Sequence, residues 1–79
     1  MTIKQIQMTN NINRIKAVLA ETGHTGKWLA VQVERDPATV SKWCTNTVQP
    51  DLQMLSKIAS VLNVSIRDLL VDSKIVREQ

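Results

Sequence analysis

The chain has 79 residues, a length that holds one domain and excludes most multi-part enzymes. Ile, Leu and Val supply 23 of them, about 29%, well clear of the ~20% associated with disorder, so a folded aliphatic core is expected. The formal charge is +3, and all of the excess falls in residues 1–50, with six cations against three anions, while residues 51–79 carry four of each; such an imbalance suits a polyanion-facing half.

Residues 1–10 contain Ile3, Ile6 and Met8 without helix punctuation, and an extended arm, a frayed tail and an added strand all remain open for them. From Asn11 onward Ile12, Ile15, Val18 and Leu19 recur at helical spacing, and Gly23 suits the residue just past a helix end. Thr25 is a natural cap for a second, short helix from Gly26 to Val33, with Leu29, Ala30 and Val33 on one face. Asp36-Pro37 marks the start of a third: Asp accepts the first unpaired amides and Pro fits the first helical position. This helix is expected to run from Pro37 to about Thr45, with Val40, Trp43 and Cys44 turned inward.

Pro50-Asp51 repeats that signal before Leu52, Leu55, Ala59 and Leu62, a stripe that ends near Asn63. Ser65 with Asp68 three residues on approximates a capping box for a fifth helix, whose apolar face is Ile66, Leu69 and Leu70. The tail, 72–79, is mostly polar, with Ile75 and Val76 available for a contact outside the monomer core. The expected organisation is an arm (1–10), a domain (11–71) and a tail (72–79). The expected fold is all-α, a compact bundle of five helices.

The second and third helices are separated only by Glu34, Arg35 and Asp36. So tight a connection favours a steep crossing, as in a helix-turn-helix, over an antiparallel pair. A steep crossing needs a small residue at the contact, and Ala30 stands ten and thirteen residues before Val40 and Trp43. The segment TGKWLAVQVERDPATVSKWCTNTVQPDLQML resembles the helix-turn-helix of the phage repressor and Cro type, the XRE family. The likeness runs from about Asn11 to Leu70. Its markers are Leu29-Ala30, Val40-Ser41-Lys42-Trp43, Pro50, the run through Leu52, Leu55, Ile58 and Ala59, and the closing VLNVSIRDLL.

The resemblance implies a five-helix domain that binds double-stranded operator DNA, commonly as a homodimer, with the third helix in the major groove and the second over the backbone. A dimer would set two such helices about 34 Å apart and read a roughly palindromic site. On this reading the base-reading candidates are Ala38, Thr39, Ser41, Lys42 and Thr45, the complement of the inward face. Lys42 suits guanine O6 or N7, Ser41 suits several base edges, and the methyl groups of Ala38 and Thr39 suit thymine. Phosphate contacts are expected from Thr25, Gly26 and Lys27 at the start of the second helix, and from Asn46, Thr47 and Gln49 after the third. The chain departs from the family pattern at Gly26, where Gln is usual, at Glu34, where a small residue is usual, and at Arg35, where an apolar one is common. Either the turn differs slightly or Arg35 points at the phosphates.

Other function classes find less support. The single cysteine, Cys44, excludes an intrachain disulfide and a multi-cysteine zinc site and suits a reducing compartment, so a cytoplasmic location is expected. No apolar run approaches the ~18 residues of a membrane span. No paired carboxylates, no nucleophile with a base and no glycine-rich phosphate loop are present, so neither catalysis nor a cofactor is expected. Cys44 reads as a buried thiol, His24 as a solvated turn residue and Trp43 as core. Trp28 is assigned to packing against the first helix or the arm, with a subunit interface as the other reading. The functional alternative is an antitoxin or adaptor whose main partner is a protein, using Ile3, Ile6, Met8, Ile75 and Val76.

Overall fold

The computed structural model describes residues 11–72 and arranges them as four α-helices and one short 3-10 helix. The helices are α1 (Ile15–Thr22), α2 (Gly26–Val33), α3 (Pro37–Cys44) and α4 (Leu52–Leu62), followed by the 3-10 helix Ile66–Leu69. Among the described residues no strand forms; a lone antiparallel bridge joins Asn13 to Leu70.

That bridge corrects two expectations. The Arg14 amide donates to the Leu69 carbonyl at 2.8 Å, and the Val71 amide donates to the Ile12 carbonyl at 2.8 Å. Ile12 is thus held in an extended segment and is 54% exposed instead of joining the helix and core. At the other end the same pairing draws Leu70 into extended backbone (φ −115°, ψ 148°), so the chain has room for one tight turn where a fifth α-helix was expected. The Ser65–Asp68 capping box forms as read, with both reciprocal bonds present. Leu69 is buried, but Leu70 is 38% exposed.

Local signals explain most other boundaries. Gly23 closes α1 at φ 77°, with its amide on Ala20 and that of His24 on Leu19, a left-handed termination that glycine adopts without steric cost. The Thr25 hydroxyl accepts from the Trp28 amide at 3.0 Å, and Asp51 Oδ1 accepts from Met54 at 2.8 Å, so both caps act as expected. Asp36 does not: its side chain makes no capping bond, and α3 starts on the fixed φ of Pro37 and on the Asp36 carbonyl, which receives the Thr39 and Val40 amides. Leu52, expected in the apolar stripe, is the first residue of α4 and is 72% exposed.

The core draws Ile15, Val18 and Leu19 from α1, Leu29, Ala30 and Val33 from α2, Val40 and Trp43 from α3, and Met54, Leu55, Ile58, Ala59 and Leu62 from α4. Leu69 seals it from the 3-10 helix. The α2–α3 pair is the most extensive contact of the fold, followed by α2–α4. The outward face of α3 is therefore set by how Val40 and Trp43 seat in the core they share with α2, to which the small Ala30 contributes.

Candidate nucleic-acid interface

Seating Val40 and Trp43 inward leaves Ala38, Ser41, Lys42 and Thr45 exposed on α3, with Thr39 half-buried at its edge. All five predicted base-reading residues thus lie on or beside one outward face. Thr45 has internal partners as well: its hydroxyl lies 3.2 Å from the Ser41 carbonyl and 2.8 Å from the Thr47 hydroxyl. Cys44 is half-buried, which corrects the expectation of a fully inward thiol. Burial pushes that thiol up, and the nearby Lys16 ammonium opposes the rise.

The start of α2 presents a second polar surface. Thr25 takes the Trp28 amide with its side chain and the Leu29 amide with its carbonyl. The amides of Gly26 and Lys27 have no bond among the described residues and stand at the positive end of the helix. Lys27 is exposed and forms no ion pair among the described residues, where Arg14–Glu21 at 3.1 Å is the salt bridge present. A Cβ added at Gly26 would lie 3.9 Å from Val40 Cγ1, an ordinary contact. Packing therefore does not force the departure from the usual Gln at this position.

His24 and Trp28 flank this surface as a stacked pair, ring centroids 3.7 Å apart and planes within 8°. His24 is half-buried instead of solvated, and Trp28 packs at the edge of the core. The arm that was its other expected neighbour lies outside the described residues.

The α2–α3 turn resolves the question left at Arg35. Glu34 occupies the left-handed region (φ 58°, ψ 48°) where the family has a small residue, and the Arg35 amide closes on Ala30. The guanidinium folds back onto the Glu34 carbonyl at 3.2 Å and the Val33 carbonyl at 3.5 Å, where a cation complements the negative end of α2.

Past α3, Asn46 and Gln49 are occupied in a way the sequence reading missed. Asn46, itself left-handed at φ 61°, accepts on Oδ1 from the amides of Ile12 and Asn13 at 2.9 Å each and from Gln49 Nε2 at 3.0 Å. Its Nδ2 donates to the Asn13 carbonyl at 3.1 Å. Asn13, the one buried polar residue among those described, donates to the Trp43 carbonyl at 2.9 Å and to Gln49 Oε1 at 2.7 Å, and accepts from Ile15. Three amide side chains thus tie the entry of α1 to the exit of α3. The only hint in the sequence was an Asn placed just before a helix. Thr47 stays exposed beside them, its amide on the Lys42 carbonyl.

Among the described residues no three His, Cys, Asp or Glu side chains group as a metal site, and no helix is long and apolar enough to cross a membrane. Residues 14–74 match the Cro/C1-type HTH DNA-binding domain. The chain belongs to this family. Its fold is shared with the crystal structure of a candidate DNA-binding protein from Bacteroides fragilis, at a TM-score of 0.75 and 50% identity over 76% of this chain and 97% of that one. None of the curated proteins compared with the chain matches it. The resemblance read from the residues is the family found, and a helix-turn-helix DNA-binding regulator is the class that fold and family define.

Proposed function

We propose that the protein is a sequence-specific transcriptional repressor that binds a palindromic operator as a homodimer, α3 lying in the major groove and α2 crossing the backbone. The observation that carries this reading is the outward face of α3, where Ala38, Ser41 and Lys42 stand exposed beside the unpaired Lys27 at the start of α2. Lys42 and Ser41 read base edges on this account, while Ala38 and Thr39 offer apolar contact. Thr25, Gly26, Lys27 and Thr47 hold phosphates, while Arg35, folded onto the Val33 and Glu34 carbonyls, braces the turn beside them. Asn46 and Gln49 act there chiefly by holding the loop in place, since their amides are engaged internally. Repression follows from occupancy of the operator.

Selection of bound sequences from random duplexes at ~150 mM salt, where phosphate attraction is partly screened, tests the reading. An enriched palindrome is expected; recovery of unenriched DNA would overturn it. On the selected site, Lys42→Ala should cost ~1–3 kcal/mol and relax preference at one position, whereas Lys27→Ala should weaken all sequences alike. Equal losses by both variants on specific and random DNA would remove the distinction between reading and anchoring residues.

A second reading, an antitoxin or adaptor with a protein partner, is favoured by the exposed Ile12 and Val71, whose main chains pair beside the Asn13–Leu70 bridge, and by the exposed Leu70. The other residues assigned to it, Ile3, Ile6, Met8, Ile75 and Val76, lie outside the described residues. A stable complex with the product of a neighbouring gene would favour this reading, and a homodimer with full operator affinity would oppose it.

A further inference from the structure

A groove of about 660 Å³ runs between α1, the start of α2 and the outer side of α3. Two cations from different helices line it, Lys16 of α1 and Lys27 of α2, and no acidic residue does. Both lysines are exposed, and neither has an ion-pair partner among the described residues. The rest of the lining includes four small residues, Ala20, Gly26, Ala38 and Ser41, beside the larger Leu19, His24 and Pro37. Small residues let a bulky ligand come close to the main chain, and two separated ammonium groups suit a ligand with repeated negative charge.

Ala38, Ser41 and Thr45 belong both to this groove and to the outward face of α3. The groove is therefore continuous with the proposed reading surface. A ligand that offers anions to the groove and base edges to the adjoining helix face is a nucleic-acid strand, whereas a free phosphate would use only the first of these.

We propose that Lys16 contacts DNA phosphate, and that the groove seats the sugar-phosphate backbone of the strand whose bases face Ala38 and Ser41, with Lys16 and Lys27 on separate phosphates. The assignment rests on the DNA-binding reading above and adds α1 to the elements that touch DNA. Each ammonium on a phosphate releases condensed counterions, so each contributes its own increment to the salt dependence of binding.

The test is fluorescence anisotropy on a random-sequence duplex between 50 and 200 mM salt, with Lys16→Gln, Lys27→Gln and, as a control on α4, Lys57→Gln. Lys16 is exposed on its helix, so the exchange leaves the core untouched. Lys16→Gln and Lys27→Gln should each flatten the log–log slope by about 0.9, so that the loss of affinity over this fourfold salt range becomes about 3.5-fold smaller. Lys57→Gln should keep the original slope. A wild-type slope in Lys16→Gln beside a flattened one in Lys27→Gln would overturn the groove assignment and leave DNA binding standing. An equal change in Lys57→Gln would overturn it too, because net charge would then explain the effect. Absence of wild-type binding to random and selected duplexes alike would remove the parent reading along with it. Cys44 lines the same groove and supplies a second readout: saturating DNA should slow its alkylation by a maleimide several-fold, and an unchanged rate would count against the proposal.

Discussion

The two connections that hold α3 are built by different means. Before it, Glu34–Asp36 turn the chain through local contacts: one left-handed residue, the Glu34 and Arg35 amides closing on Val31 and Ala30, the Arg35 guanidinium on the adjoining carbonyls, and no capping side chain. After it, Asn46 and Gln49 build the loop from side-chain amides that reach 33 to 36 residues back to Ile12 and Asn13. The lesson is that one end of the recognition helix is set by local conformation and the other by a partner far off in sequence. Mutations should separate the two.

The largest effect is expected where neither connection can compensate. Val40 is fully buried between α2 and α3, and Val40→Asp would place an unpaired charge there, at a cost of more than about 4 kcal/mol against a total stability of roughly 5–15. Circular dichroism should find the variant unfolded. Ser41→Asp, one residue on and exposed, should fold and lose DNA affinity through repulsion of phosphates. A folded Val40→Asp variant would mean that the inner and outer faces of α3 are interchanged.

Next comes the loop after α3. Asn46→Ala strips an acceptor from three donors and puts at φ 61° a residue that tolerates the left-handed region less well than Asn, for an expected loss of about 2–4 kcal/mol. Asn46→Gly removes the same bonds but suits the backbone, so it isolates the network and should still lose about 2 kcal/mol in denaturant unfolding. Wild-type stability in Asn46→Gly would show that the amides contribute nothing net. The turn before α3 should respond in the opposite direction. Glu34→Gly relieves the left-handed residue and should gain about 1 kcal/mol, a rise in Tm of about 5 °C. A loss there would show that the Glu34 carboxylate holds something its backbone does not.

The same division explains what was legible in the sequence. The limits of α2 and α4 and the outward face of α3 follow from caps and apolar spacing within a few residues, and they were readable because each signal and its effect are neighbours. Ile12 and Leu70 carry the right apolar pattern, but the bridge between Asn13 and Leu70 overrides it, and no local pattern announces a pairing across the length of the domain. The candidate site divides likewise. The outward position of Ala38, Ser41 and Lys42 follows from helical periodicity and their reading role from the family resemblance, whereas the occupation of Asn46 and Gln49 depends on Asn13, which looks like any polar residue ahead of a helix. Leu52 and Asp36 misled for another reason: each sits at a helix start, where composition signals the boundary but does not settle which way the side chain turns.

The Ser65–Asp68 capping box is another junction built from side chains, and it lies in solvent where the Asn46 loop is partly buried. If burial is what makes a side-chain junction weigh heavily, this one should have the smallest effect, and acid should abolish it. The Ser65 amide donates to Asp68 Oδ2 at 3.0 Å and lowers the carboxyl below its ordinary range, helped by the Ser65 hydroxyl. A lowered pKa in the folded state means that the stabilisation is complete above the unfolded value of about 3.9 and fades as pH falls through the folded one. Asp68→Asn keeps an acceptor but does not titrate. The stability gap between wild type and Asp68→Asn should therefore be present at pH 6 and close on acidification below about pH 4. A gap that persists unchanged to pH 2 would show that Asp68 acts through shape alone, and exposure would then not be the reason this junction is weak.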